Sequence, residues 1–358
     1  MMRRISILLL VAGFIAGNTV AYAWDHPGHM TTAAIAFEEI ERVRPDLIDK
    51  IGLLLLKHPD TAPFWVAAGD ARGRERARLM FIEAARWADD IKFTPDDRPT
   101  YHSARWSILA DDAPPESGAL LESRGDRPLG NAIEAIALNS AVLSNPESKP
   151  DERALALSWM MHILGDIHQP LHVSDLMSTD FPTGNAAGTL AYVWDPLRDS
   201  AMPLHILWDS NTMRSTNIDE IDRHAREIMA RHPRSSLQEL SPYEGPESYR
   251  QWAREGYRTA ADWAYDIETR PDPNLDADAD RIIGNMVMYI LEGISPVDEA
   301  PAVPDEYWER LQETVSRRLA LCGYRMADVI LDAADALETE ATLAGKVLDA
   351  MPRHGSTN

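Results

Sequence analysis

One cysteine, Cys322, occurs in 358 residues, so no intramolecular disulfide can form and a disulfide-stapled scaffold is excluded. Positive charge is also scarce. Lys and Arg number 35 against 57 Asp and Glu, a net charge of −22, whereas proteins that grip polyphosphate through their surface usually carry a basic footprint. No apolar run is long enough for a confident membrane span: the one candidate, residues 5–16, falls short of the roughly 20 residues that a crossing helix needs. Repeats and long linkers are absent, and strand-like alternation is confined to 189–194.

What is present is helical periodicity. Apolar residues recur at helix spacing over 30–43, 76–92, 129–144, 153–167, 217–231, 247–267, 278–293 and 304–339, while 111–115, 180–185 and 270–280 read as loops. An all-α chain follows, one mostly helical domain with at most a short β-hairpin. Cys322, in the last long helix, reads as a small buried apolar residue.

The amino terminus predicts export, to the periplasm or the medium. Met1-Met2-Arg3-Arg4 is a basic n-region, 5–16 an apolar h-region, and Ala21-Tyr22-Ala23 a cleavage site. Residues 1–23 are therefore a signal peptide, 24–340 a catalytic domain, and 341–358 the end of the last helix and a tail. Cleavage removes Arg3 and Arg4, taking the net charge from −22 to −24. It also exposes an α-amine on Trp24 that titrates near neutrality and can chelate a metal together with its own carbonyl.

Between residues 162 and 209 lie His162-x3-Asp166, then His172, then His205-x3-Asp209. A His and an Asp four apart on a helix point the same way, since 3.6 residues per turn stacks i over i+4. One such pair is usually a capped or solvated contact. Two pairs in apolar surroundings, with a third imidazole between them, are the ligand types of zinc or another borderline divalent ion.

Trp24-Asp25-His26-Pro27-Gly28-His29, Trp87-Ala88-Asp89, Tyr101-His102, Gly165-Asp166-Ile167-His168-Gln169-Pro170-Leu171-His172, Gly184-Asn185 and Leu204-His205-Ile206-Leu207-Trp208-Asp209 together resemble the zinc-dependent single-strand nuclease and 3′-nucleotidase family of fungi, plants and bacteria. That family shares its fold with the bacterial zinc-dependent phospholipases C. The likeness runs to Gly323-Tyr324-Arg325-Met326-Ala327, similar to the family's near-terminal Gly-x-Arg-Leu-Ala. It implies three zinc ions, held by Asp89, His102, His162 and Asp166; by Trp24, His29 and Asp166; and by His172, His205 and Asp209. Asp166 then bridges two ions. Asp89, Asp166 and Lys92 are the implied catalytic residues, and Lys92 and Asn185 the implied substrate-binding ones.

Clustered zinc lowers the pKa of water and stabilises a leaving alkoxide, so phosphoester hydrolysis is the implied reaction, on single-stranded DNA, RNA or nucleotides, with no stable protein partner inferred and no membrane span in the mature chain. Several positions depart from the pattern. After its His the family places an aromatic residue and, two positions later, an Asp, which stack on and hydrogen-bond the base; here Ser103, Ala104 and Arg105 follow His102. Lys92 stands where an Arg helps neutralise the transition state, and loses the bidentate fork. Thr183-Gly184-Asn185 replaces Gly-Gly-Asn, which asks whether Thr183 takes a positive φ. Segments 58–78 and 269–304 read as additions, as a lid or a surface helix. Two other functions stay open: a phospholipase C, whose last ligand pair ends in Glu where this chain has Asp209, and an exported zinc-binding protein without turnover.

Among other residues, Trp106, Phe181 and Tyr192 read as core or rim aromatics, and His168 as packing or support for the ligand face. His26 reads as a solvated neighbour of the site, and His58, His224, His232 and His354 as exposed. Asp90 and Asp175 are spare carboxylates.

Overall fold

Helix α7 (Pro150–His168) is the axis of the molecule, with every residue from Ala156 to His168 buried. Pro150 stands in its first turn, Glu152 accepts from the Lys149 N–H at 3.2 Å, and Pro170 lies just beyond its end. In the computed structural model, which describes residues 24–273, 288–290, 292–334 and 337, the helices that pack on α7 come from both ends of the chain. These are α1 (His26–Val43), α2 (Leu47–Leu55) and α4 (Gly73–Asp90), with α6 (Ala132–Ser144), α10 (Glu247–Thr259) and α11 (Asp305–Asp332). The remaining helices are α3 (Ala62–Ala68), α5 (Pro115–Arg124), α8 (Leu204–Asp209) and α9 (Ile218–Arg231).

The mostly helical expectation holds. Expected helices 30–43, 76–92, 129–144, 153–167, 217–231 and 304–339 correspond to α1, α4, α6, α7, α9 and α11, and 247–267 to α10 with a π-turn at Ala260–Ala264. Most of the 278–293 expectation, the 1–23 segment, 341–358 and His354 lie outside the described residues. Among the described residues, no helix is long and apolar enough to cross a membrane.

Sheet content exceeds a single hairpin. β1 (Trp106–Leu109) pairs in parallel with β2 (Ser174–Met177), and β3 (Ala191–Asp195) pairs antiparallel with β4 (Ser200–Pro203) and the two-residue β5 (Arg270–Pro271). The alternation read over 189–194 corresponds to β3; the other strands are too short, β2 being buried along nearly all its length, to show one. Trp106, Phe181 and Tyr192 are core residues, as expected.

Two side chains of α11 clamp the end of α7. Arg318 Nε donates to His168 O at 2.7 Å, and Arg325 Nη1 approaches His168 Nε2 at 3.0 Å while its Nη2 donates to Glu255 Oε1 at 2.7 Å. Cations at a helix C-terminus are favoured by the exposed carbonyls. His168 Nδ1 lies 2.7 Å from Leu164 O, so the ring takes the packing and supporting role expected of it. Cys322, on the same helix, is fully buried.

Three histidines differ from expectation because tertiary contacts enclose them. His58 is buried edge-on between Phe64 and Trp87, at ring distances of 4.8 and 4.6 Å, and its Nδ1 accepts from the Asp60 N–H at 3.1 Å. His232 is buried with Nε2 3.1 Å from Ser316 Oγ, and His26 is buried with Nε2 3.5 Å from Asp90 Oδ1. His224 is partly buried. The 58–78 segment forms α3 and the start of α4, with Phe64 facing inward and Val66 outward.

Gly323 lets α11 cross α1 closely: a Cβ there would lie 2.5 Å from Ile35 Cβ and Cγ2. Gly323→Ala should therefore cost about 1–3 kcal/mol by overpacking, although alanine elsewhere in a helix gains up to about 1 kcal/mol. Thermal denaturation of the mature protein checks the sign, and an unchanged or raised Tm contradicts the close crossing.

Burial lowers the His58 pKa to about 4, below the ordinary value near 6.5. Between these values the unfolded chain takes up a proton that the folded one refuses, so stability is fully present above pH 6.5 and declines as pH falls toward 4. In chelator, His58→Gln should flatten that decline by up to about 1.4 kcal/mol per pH unit, measured by urea titration at a series of pH values.

Candidate metal centre

Five ligand-type side chains meet where α1, α4 and the Pro99–His102 turn touch α7. His29 comes from the first turns of α1, whose start is capped by Asp25 accepting from Gly28 N at 3.2 Å. Asp89 ends α4, His102 ends the turn, and His162 and Asp166 share one face of α7. All five are buried. Gly165 makes the approach of α1 possible, since a Cβ there would lie 2.5 Å from His29 Nδ1.

The geometry fits metal. His162 Nε2 lies 3.4 Å from Asp89 Oδ1, 3.4 Å from Asp166 Oδ2 and 3.1 Å from His102 Nδ1, and His102 Nδ1 lies 3.1 Å from Asp166 Oδ2. A tetrahedral ion with bonds of about 2.0–2.1 Å has ligand–ligand edges of roughly 3.3 Å. The other oxygen of Asp166, Oδ1, turns instead to His29 Nε2 at 3.4 Å, and Asp89 Oδ2 is 4.0 Å from the same nitrogen. Asp166 Oδ1 and His29 Nε2 are buried and accept or donate no hydrogen bond among the described residues.

A second group lies at the other end of the Gln169–Val173 turn. α8 carries His205 and Asp209 one turn apart, with His205 Nε2 3.2 Å from Asp209 Oδ2, and His172 Nε2 3.7 Å from Asp209 Oδ1. Among the described residues, three groups could hold a metal ion: His29, Asp89 and His162; His102, His162 and Asp166; and His172, His205 and Asp209. The structure thus brings together all eight side chains expected as ligands. Trp24 is fully buried at the edge of the same region, where the next residue's N–H, that of Asp25, donates to Asp209 O at 3.0 Å.

Backbone carbonyls fix the imidazoles. His162 Nδ1 donates to Ala85 O at 2.9 Å, His172 Nδ1 to His102 O at 2.6 Å and His205 Nδ1 to Ala187 O at 2.9 Å, which leaves each Nε2 aimed at the carboxylates and, in His162 and His205, whose pKa burial lowers, unprotonated. Burial, the largest influence on each, lowers His29 and His102 to about 3, so both stay neutral and ready to bind metal. His172 is raised: burial opposes the charge, but hydrogen bonding to Asp209 and the nearby carboxylates outweigh it.

Sequence reading left the supports unassigned. Gln169 bridges the two ends of the second group, its Nε2 donating to Asp209 Oδ1 at 2.6 Å and its Oε1 accepting from Leu171 N. Its place between Asp166 and His172 was the only signal. Asp175 is in none of the three groups; its Oδ1 accepts from Ala187 N at 3.2 Å, and its Oδ2 would stand 2.5 Å from a Cβ at position 184. Asp90 pairs with Arg86, Oδ1 to Nη2 at 2.7 Å. Thr183 has no positive φ; the left-handed residues of the loop are Gly184, Ala186, Ala187 and Gly188, at φ 116°, 51°, 62° and 83°. Lys92 Nζ meets Asp89 Oδ1 at 2.6 Å, and Asn185 Oδ1 accepts from Leu176 N and Gly188 N at 3.2 and 2.9 Å.

A mostly helical chain whose buried His/Asp groups at the ends of one turn could hold metal ions has the makings of a metal-dependent enzyme. The chain belongs to the S1/P1 nuclease family, whose model matches residues 24–335. It is 28% identical over 194 residues to Nuclease S1 of Aspergillus oryzae, covering 53% of this chain and 59% of that protein. It is 29% identical over 185 residues to Endonuclease 2 of Arabidopsis thaliana, covering 48% and 49%. To Nuclease P1 of Penicillium citrinum it is 23% identical over 256 residues, covering 69% and 82%. The chain thus spans about half the length of the first two relatives.

Asp166→Asn keeps the size of the side chain but removes a charge that faces two ligand groups. Bound zinc, measured by elemental analysis, should fall by at least one ion per chain, and hydrolysis should drop by about 100-fold or more. Full metal content in this variant contradicts a shared carboxylate.

Proposed function

We propose that the chain is an exported, zinc-dependent phosphodiesterase acting on single-stranded nucleic acids or nucleotides. The observation that carries this reading is Asp166, whose Oδ2 faces His102 and His162 while Oδ1 faces His29, the disposition of a carboxylate shared by two ions. Asp89, His102, His162 and Asp166 would hold one zinc; His29, Asp166 and the amine and carbonyl of Trp24 a second; His172, His205 and Asp209 a third. The names of the relatives, all nucleases, support the reaction class.

When bound, zinc supplies a lowered water pKa and positive charge at the phosphoryl oxygens. The protein's residues do the rest. Ala85, His102 and Ala187 hold three imidazoles in the metal-binding tautomer, and Gln169 orients Asp209. Lys92 keeps a positive charge against Asp89, ready to turn to a phosphoryl oxygen as charge develops there. Asn185 has its carbonyl committed to the backbone, and its buried Nδ2 donates to no acceptor among the described residues, leaving two N–H groups for a phosphate oxygen. Asp89 and Asp166 act through the ions they hold.

The zinc-loaded mature protein, assayed in parallel on single-stranded DNA, RNA, a 3′-nucleotide and phosphatidylcholine, tests the reading. Cleavage of the first three is expected. Turnover of phosphatidylcholine alone would make it a phospholipase C, and zinc binding without any turnover a binding protein.

Export and the site are linked through Trp24. A chain that begins Met-Trp24, with the Met retained, moves the amine about 3.8 Å along the backbone and leaves an amide, a poor donor, in its place. It should fold, lose one zinc and lose most activity, and trimming the Met should restore both. Equal zinc content and turnover in the two forms would remove Trp24 from the ligand set.

A further inference from the structure

Arg105 is pinned beside the second ligand group by its backbone. Its N–H donates to Leu129 O at 2.8 Å, its carbonyl accepts from Leu129 N at 2.7 Å, and the preceding Ala104 N–H donates to His172 O at 3.0 Å. From the next residue the chain is β1, paired with β2 in the register Trp106↔Ser174 and Ser107↔Asp175. Alternation places Arg105 on the Ser107 and Asp175 side of this pair, away from Trp106. Asp175 in turn holds Ala187, whose carbonyl orients His205. Arg105 lies within Coulombic reach of His205, Asp175 and Tyr265.

Its neighbours are held by hydrogen bonds or stacking, whereas among the described residues its side chain meets Asp175 only through charge. Arg124 donates to Ser107 Oγ at 2.8 Å, and the Arg254 guanidinium lies 3.9 Å from the Trp106 ring centre. Arg105 is partly buried, and its Nε is enclosed without an acceptor among the described residues. Enclosing a guanidinium donor without an acceptor is costly. The planar fork of a guanidinium matches two oxygens of a tetrahedral oxyanion.

We infer that Arg105 binds a phosphate oxygen of the substrate beside His172, His205 and Asp209, so that this chain grips the phosphate at a position where the family's usual Asp reads the base. The inference rests on the phosphoesterase reading above, and it names a specificity-determining residue for it. Base discrimination falls and dependence on phosphate charge rises.

The test uses zinc-loaded mature protein, Arg105→Ala and Arg105→Lys, with inorganic phosphate as the probe in calorimetry and as inhibitor of oligonucleotide cleavage. In Arg105→Ala the phosphate dissociation constant and the KM should rise about tenfold or more, with kcat less affected and zinc content unchanged, and Arg105→Lys should recover part of the loss. Unchanged KM and phosphate affinity in Arg105→Ala overturn the inference. So does loss of zinc in proportion to activity, which would mean that Arg105 only supports His205. If wild-type protein binds phosphate through Arg105 yet cleaves no substrate, the catalytic reading fails while this one stands.

Discussion

Two carboxylates, Asp89 and Asp166, are buried within reach of the same His162 nitrogen, and that enclosure of like charge governs the structure around them. Buried anions without compensation are too costly to keep. Lys92 offsets one of them, and neutral imidazoles offset neither. Divalent cations would supply the remaining balance, and the helices hold the carboxylates and imidazoles at distances that suit them. α7 carries its ligands on one face, is clamped at its end by Arg318 and Arg325, and receives α1 closely only because Gly165 has no side chain.

Much of this was readable in the sequence because it is local. His162-x3-Asp166 and His205-x3-Asp209 declare their geometry through helical spacing, and the structure places both pairs as that spacing requires. The supports were not readable, because carbonyls carry no sequence label: Ala85, His102 and Ala187 serve through backbone oxygens. Burial of single polar side chains was equally hidden. His58 looked exposed beside Lys57 and Pro59, and only the approach of Phe64 and Trp87 encloses it. The parallel pairing of β1 with β2 joins residues 68 positions apart in a register that no short motif encodes. The sequence left open whether Thr183 takes a positive φ; the strained backbone lies instead at Ala186 and Ala187, where Asp175 and Asn185 hold the loop from either end.

The charge balance acquires a meaning from these positions. A chain of net charge −22 repels polyanions at long range, and salt weakens that repulsion. Lys92, against Asp89, and Arg105, within Coulombic reach of His205, set positive charge beside the ligand groups. On the proposed reading, attraction of a substrate phosphate is confined to that centre and acts at short range.

Cys322 adds a property of a different kind. It is fully buried on α11, and burial pushes its thiol up to about 12, so it stays protonated and unreactive as a nucleophile. With no second cysteine to pair with, the chain has no thiol–disulfide couple to be poised by its surroundings. Its folding is therefore indifferent to the redox potential on either side of a membrane, and neither reductant nor oxidase has a structural bond to break or make.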